Sequence, residues 1–245
     1  VVAASDHLIL EEDVFRATIT KAFDFVAANK AILTLGMQPT RPETGYGYIQ
    51  YINGESNDIQ HPIEGIYPVK TFTEKPNLEM AKVFLASGEF AWNSGMFLWR
   101  ADVIVEQFNR HLSEVADRFE EGGDVYGTVN EQAFINLIYP QCPNISIDYG
   151  IMEKADNVYV MLADFGWSDL GTWGSLQANS KKDAQNNALI GQNIKMYESR
   201  NCVVHTTQEK KVVIQGLDGY IIAEKDNTLL ICRLTEEQRI KDFSE

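Results

Sequence analysis

The chain has 245 residues, 44% hydrophobic and 23% charged, with a formal net charge of −14. That composition is ordinary for a globular protein and excludes disorder, collagen and coiled coil as whole-chain descriptions. A chain this acidic lacks the basic footprint a nucleic-acid partner needs, and no stretch approaches the ~18 consecutive apolar residues of a membrane span.

Val1–Ala4 reads as the end of a buried strand entering a polar turn, Ser5-Asp6-His7, with no basic segment that would mark a signal peptide. A helix is predicted from about Glu11 to Asn29, with Val14, Thr18, Ala22, Phe23 and Val26 as its apolar face. Ala31–Leu35, ended by Gly36, reads as a buried strand, so the opening order is strand, helix, strand. Tyr46–Tyr51 and Ile66–Thr73 are predicted strands, the latter ended by Pro76. Asn77 is a predicted N-cap for a helix carrying Leu78, Ala81, Phe84 and Leu85. Gly95–Trp99 reads as a short strand. Residues 101–111, 113–120 and 130–139 have helical patterning. A short helix at Ile147–Ala155, a strand at Val158–Ala163 and a short helix at Thr172–Asn179 follow.

After Asp183 the texture changes. Short apolar clusters at Leu189, Cys202, Val212, Tyr220 and Leu229 recur between Gly, Asn, Asp and Lys, which suits the strands of a solenoid or small sandwich. Charge divides at the same place. Residues 184–245 carry 8 basic and 9 acidic residues, and the preceding 183 carry 13 and 26. Two parts are therefore expected, 1–183 and 184–245. Cys142, Cys202 and Cys232 have no metal-ligand or disulfide spacing and read as free thiols of a reducing, cytoplasmic compartment.

Five short motifs carry candidate chemistry. Asp6 follows a strand at the place where α/β sheets hold ligands, although a turn-stabilising Asp fits it better in isolation. Thr44-Gly45-Tyr46-Gly47-Tyr48 allows close backbone approach to a ligand, or simply makes a tight turn. In Phe72-Thr73-Glu74-Lys75-Pro76, Lys75 offers a compact charge for a phosphate and Glu74 an acceptor for hydroxyls; an exposed ion pair is the plainer reading. Ala91-Trp92-Asn93-Ser94-Gly95 reads as a loop facing a sugar, or as a structural turn. Gly166-Trp167-Ser168-Asp169-Leu170-Gly171 places an Asp before a helix, and Asp6 with Asp169 would make a two-carboxylate Mg2+ site. No P-loop, dinucleotide fingerprint or nucleophile triad is present.

Taken in order, with Ser146-Ile147-Asp148-Tyr149-Gly150-Ile151-Met152-Glu153-Lys154 added, these motifs resemble the bacterial mannose-1-phosphate guanylyltransferases across essentially the whole chain. The resemblance implies an α/β fold: a Rossmann-like nucleotidyltransferase sheet, incomplete at its N-terminus, then a short left-handed β-helix. It implies that the family's glycine-rich nucleotide loop lies ahead of the point where this sequence starts. The implied reaction joins GTP and mannose 1-phosphate into GDP-mannose and pyrophosphate. Asp6 and Asp169 would hold Mg2+, and Lys75 the sugar phosphate. Gly47, Glu74 and Asn93 would hold sugar hydroxyls, Gly95 would permit close approach, and Asp148 and Lys154 would lie near the same cleft. The expected partners are these small molecules, neither nucleic acid nor membrane, with room for a homodimer through residues 184–245. Another sugar-1-phosphate nucleotidyltransferase, or a non-catalytic sugar-phosphate-binding module, remains open as an alternative.

Overall fold

The computed structural model of the chain describes residues 1–52, 61–206 and 210–243. Its elements, in order, are β1 (Leu8–Ile9), α1 (Glu12–Ala28), β2 (Ile32–Met37), β3 (Tyr48–Tyr51), β4 (Ile66–Thr73), α2 (Leu78–Ser87), β5 (Phe90–Leu98), α3 (Ala101–His111), α4 (Ser113–Glu120) and α5 (Glu131–Ile138). Then come β6 (Val158–Ala163), β7 (Trp167–Ser168), α6 (Trp173–Asn179), β8 (Ala188–Ile190), β9 (Ile194–Tyr197), β10 (Val203–Thr206), β11 (Val212–Gln215), β12 (Tyr220–Lys225) and β13 (Thr228–Arg233). The chain divides into two compact units: Val1–Ser5 with Leu10–Phe165, and Asp6–Ile9 with Gly166–Glu245. The content is mixed α/β. No described helix is long and apolar enough to cross a membrane.

In the first unit, five strands pair in the closed order β2-β5-β3-β4-β6. Only β2 and β6 run parallel; the other four neighbouring pairs are antiparallel. β2 is buried at every position, as its mostly apolar run requires. Ile32, Ile49, Phe72, Phe97, Val158 and Val160 meet in one core with Val103 and Ile104 of α3 and Ile151 and Met152. α1 buries Thr18, Ala22, Phe25 and Val26. The expected face included Phe23 and Val14, but Phe23 is 45% exposed and Val14 42%. Positions 18, 22, 25 and 26 form a continuous helical stripe, and Phe23 is turned about 100° away from Ala22. α2 begins as its sequence predicts: Asn77 accepts the Met80 N–H at 2.9 Å, and Gly88, at φ 70°, ends the helix.

Two expectations fail locally. Residues 1–4 are exposed rather than a buried strand; Val2 makes a single antiparallel bridge with Phe97. The stretch from Ala91 to Ser94, expected as a loop, lies inside β5, which starts five residues earlier than Gly95 and is buried at eight of nine positions. The loop-like composition is explained by a bulge. Thr34 and Gly36 of β2 pair with Phe97 and Asn93, so two additional residues of β5 are accommodated between them, with Gly95 at φ 71°.

The second unit is built on stacked parallel strands. β8, β10 and β12 lie side by side in parallel, and β9 and β11 pair in parallel in a separate sheet, so the chain alternates between two sheets as it advances. β13 closes the first of these sheets antiparallel to β12. β9 has no counterpart among the apolar clusters of the sequence, because Lys195 interrupts its apolar run. Buried Asn187 joins successive coils: its Nδ2 donates to the Ser199 carbonyl at 3.0 Å, and its Oδ1 accepts the Cys202 N–H at 3.0 Å. α6 starts at a capping box made by Thr172 and Ser175, and its Trp173 and Leu176 pack on this unit's own core of Ala188, Val203 and Ile221.

Gly36 allows β2 to sit between its neighbours. A Cβ there would lie 2.6 Å from Val160 Cγ2 and 2.9 Å from Ala91 Cβ. Gly36→Ala is expected to cost about 1–3 kcal/mol by overpacking, read as a lowered midpoint in chemical denaturation. An unchanged midpoint would show that β5 and β6 part there without penalty.

Candidate functional site

Within the first unit, residues separated by up to about a hundred positions converge around Gly47. Gly47 ends the loop from β2 to β3, and its carbonyl accepts the Asn93 N–H at 2.8 Å. A Cβ at Gly47 would lie 2.5 Å from Glu74 Oε2 and 3.3 Å from Asn93 Cβ, so glycine leaves the space that the Glu74 carboxylate fills. Glu74 and Lys75 follow β4. Glu74 is nearly buried, with its side chain 7% exposed, while Lys75 is 60% exposed and its Nζ bonds the Glu74 carboxylate. Lys75 is held at φ 47°, a left-handed backbone that costs a non-glycine residue energy and is concentrated at functional sites.

Asn93, from the middle of β5, is buried and held in place on two sides. Its Oδ1 accepts the Thr34 hydroxyl at 2.8 Å, and its Nδ2 donates to Asp148 Oδ1 at 3.1 Å. Asp148 opens a π-helical turn over Asp148–Met152, closed by the Glu153 N–H on the Asp148 carbonyl at 3.0 Å. Such turns recur at functional sites. Glu153 Oε1 accepts the Glu74 N–H at 3.4 Å. Sequence reasoning misses Thr34 and Glu153 as members of this cluster. Glu153 lies within a motif already singled out. Thr34 could be recognised only as a hydroxyl in an otherwise apolar strand.

The structure therefore gathers Gly47, Glu74, Lys75, Asn93 and Asp148. The other two candidates of this unit are Gly95 and Lys154. A Cβ on Gly95 would meet nothing within 4 Å, so this glycine serves the bulge conformation and not a close approach within the chain. Lys154 closes the same turn, its N–H on the Ile151 carbonyl at 2.9 Å, and acts electrostatically on His111. Burial, then Arg110 and Lys154, hold the His111 imidazole below its ordinary range.

In the second unit, the first and last motifs meet. β1 pairs antiparallel with β7 through Leu8–Ser168 and Ile9–Trp167, so Asp6 and Asp169 leave from the same end of one ribbon. The Trp167 indole N–H donates to His7 Nδ1 at 3.2 Å. Asp169 Oδ1 accepts the Gly171 N–H at 2.8 Å, with Leu170 between them at φ 53°. No group of three or more His, Cys, Asp or Glu side chains arranged for a metal occurs among the described residues. Two carboxylates on one ribbon end suit an ion that takes few protein ligands and fills its octahedron with water or phosphate oxygens, as Mg2+ does.

Burial raises the Glu74 pKa above the ordinary carboxylate range, the Lys75 ammonium opposes it, and Asp148 and Glu153 reinforce it. The hydrogen bond to Glu74 holds the Lys75 ammonium above its usual value. A carboxyl with a raised folded pKa binds its proton more tightly folded than unfolded. Its contribution to stability is thus present at low pH and lost as pH rises from the ordinary glutamate range through the folded pKa. Glu74→Gln is expected to raise the melting temperature at neutral pH, with the gain shrinking on acidification toward pH ~4. A gain that instead grows on acidification would contradict a buried, proton-retaining Glu74.

Comparison with known proteins shows what the chain is similar to. A mannose-1-phosphate guanylyltransferase of Sinorhizobium fredii is 35% identical over 244 residues, covering 98% of this chain and 45% of that protein. One from Escherichia coli K12 is 34% identical over 249 residues, covering 96% and 50%. The chain thus spans about half the length of the curated relatives it matches. A crystal structure from Thermus thermophilus, described as a mannose-1-phosphate geranyltransferase, superposes with a TM-score of 0.76 at 29% identity, covering 99% of this chain and 68% of that one. The nucleotidyl transferase family model matches residues 1–186, and with it the loop, strand-end and turn motifs gathered above: the chain belongs to the nucleotidyl transferase family.

Proposed function

We propose that this chain serves the transfer of a guanylyl group from GTP to mannose 1-phosphate, giving GDP-mannose and pyrophosphate. The observation that carries the reading is the convergence of Gly47, Glu74, Lys75, Asn93 and Asp148 in one unit. A mostly exposed ammonium beside a nearly buried carboxylate and a fixed amide is a donor and acceptor set for a phosphorylated sugar. The relatives that are named for mannose 1-phosphate and guanylyl transfer support that choice of substrate.

In this reading Lys75 leaves Glu74 to hold the sugar phosphate, and Glu74 then accepts from sugar hydroxyls. Asn93 has one amide N–H on Asp148 and its oxygen on Thr34, which leaves its second N–H for a hydroxyl. Asp148 is the positioning group that fixes the amide. The transferred phosphorus is attacked by an oxygen of the sugar phosphate while pyrophosphate leaves, so the protein contributes orientation and charge rather than a covalent intermediate. Asp6 and Asp169 would hold Mg2+, which supplies positive charge for phosphate oxygens. For the second unit we read the parallel coil as a short left-handed β-helix, with the near-neutral stretch 184–245 available for a homodimer. The free thiols Cys142, Cys202 and Cys232 suit the cytoplasm.

Titration calorimetry with mannose 1-phosphate tests the sugar-phosphate side. Binding should weaken at least tenfold in Lys75→Ala, since a charge-assisted hydrogen bond contributes about 1.5–3 kcal/mol, while the melting temperature stays near that of the parent. Equal affinity in the parent and the variant would remove Lys75 from the site, and no binding by the parent would remove the reading.

The metal side is tested with Mn2+ as a paramagnetic stand-in. Amide signals next to Asp6 and Asp169 should broaden first in the parent and stay sharp in Asp169→Asn. Broadening that is unaffected by the substitution would place the ion elsewhere.

A further inference from the structure

The loop that delivers Gly47 is tied down by an ion pair, with its carboxylate buried and its guanidinium partly exposed, that takes no part in the reading above. Glu43 is 1% exposed. Its Oε2 accepts Arg41 Nε at 3.2 Å, with Arg41 Nη2 at 3.0 Å, and its Oε1 accepts the Gly45 N–H at 3.1 Å. Its own N–H donates to the Tyr48 phenol oxygen at 2.9 Å, and Tyr48 is fully buried in β3. The Arg41 guanidinium lies over the Trp92 ring, 5.2 Å from its centroid, and Tyr46 meets the same ring edge-on at 5.1 Å. Trp92 directly precedes Asn93, whose N–H is held by the Gly47 carbonyl. One carboxylate thus ties the start of the loop, its Gly45 amide and, through Arg41 on Trp92, the strand that carries Asn93.

Stability alone gives little reason for this arrangement. A buried ion pair is commonly replaced by apolar residues of similar volume without loss of stability, because desolvation consumes most of its attraction. What an apolar replacement cannot do is accept the Gly45 N–H or fix a guanidinium plane on Trp92. We infer that Glu43 is a positioning residue: its buried carboxylate, held by Arg41, sets the Gly45–Gly47 backbone against Asn93 and so fixes the sugar-facing side of the site. The sugar-facing role rests on the function proposed above; the tying of the loop does not.

The full chain tests both parts by amide hydrogen exchange without ligand and by calorimetry with mannose 1-phosphate. In Glu43→Ala, exchange at the Gly45 and Asn93 amides should quicken at least tenfold, and mannose 1-phosphate affinity should fall at least tenfold. Glu43→Gln keeps an acceptor for Gly45 and should restore both to within threefold of the parent. A stabilising role alone would lower the melting temperature of both variants without separating them in exchange or affinity. If Glu43→Ala does not fold, Tyr48→Phe decides. It removes the phenol oxygen that accepts the Glu43 N–H and also faces Trp92, and should quicken exchange at Glu43 and Gly45. Unchanged exchange in folded Glu43→Ala or in Tyr48→Phe, or a Gln variant no better than Ala, overturns the inference. A parent that fails to bind mannose 1-phosphate overturns the proposed function, and the exchange data still decide whether Glu43 ties the loop.

Discussion

A side-chain amide in the middle of a strand buried at nearly every position has to be satisfied where it stands. Asn93 is that group. Its side chain engages a hydroxyl from β2 and a carboxylate from the π-helical turn, and its backbone N–H engages a carbonyl from the β2–β3 loop. Each partner fixes a different piece of chain. Thr34 draws β2 against β5 beside the bulge, Asp148 anchors the turn, and Gly47 brings the loop end close enough that only glycine leaves room for Glu74. The bulge at Gly95 lies beside Asn93, where β5 takes up two additional residues while its ends stay paired with β2.

The ion pair of Glu74 and Lys75 stands on this base. Burial makes the ionised Glu74 costly, and Lys75 is held in a left-handed conformation. The partners of the pair are unequal. The carboxylate is enclosed by Gly47 and the strand ends, whereas the ammonium is more than half exposed on a flexible stem. Lys75 is thus the accessible half of the pair and Glu74 the enclosed half.

What can be read in the sequence follows from how local each determinant is. β4 and β6 and the Asn77 cap depend on residues within one element, and the predicted bounds coincide with the observed ones. The five residues that meet at Gly47 are indicated by resemblance, although spacing alone leaves each of them open. Asn93 reads as a loop residue because Trp, Asn, Ser and Gly in succession have turn composition. The strand wins through pairing on both sides, with β2 and β3, which no window of sequence contains. Glu43 gives no signal in a stretch marked by prolines and glycines, because a buried carboxylate is recognisable only once Arg41 and the Gly45 amide are seen around it.

The second unit shows the opposite balance. Its strands are short, and several are half exposed, so hydrophobic pattern alone does not fix their register. Register is set at the corners. Asn187 reaches from one coil to the backbone of the next, and Arg200 and Asn201 both bond Asp218, one coil further on, at 2.8 and 2.9 Å. Asn186, Asn193 and Asn201 adopt positive φ at such corners, a conformation Asn tolerates better than most residues. Polar residues that read in the sequence as spacers between apolar clusters are therefore the groups that hold the coils in step. The apolar clusters supply cohesion, and the corner side chains determine which strand lies beside which.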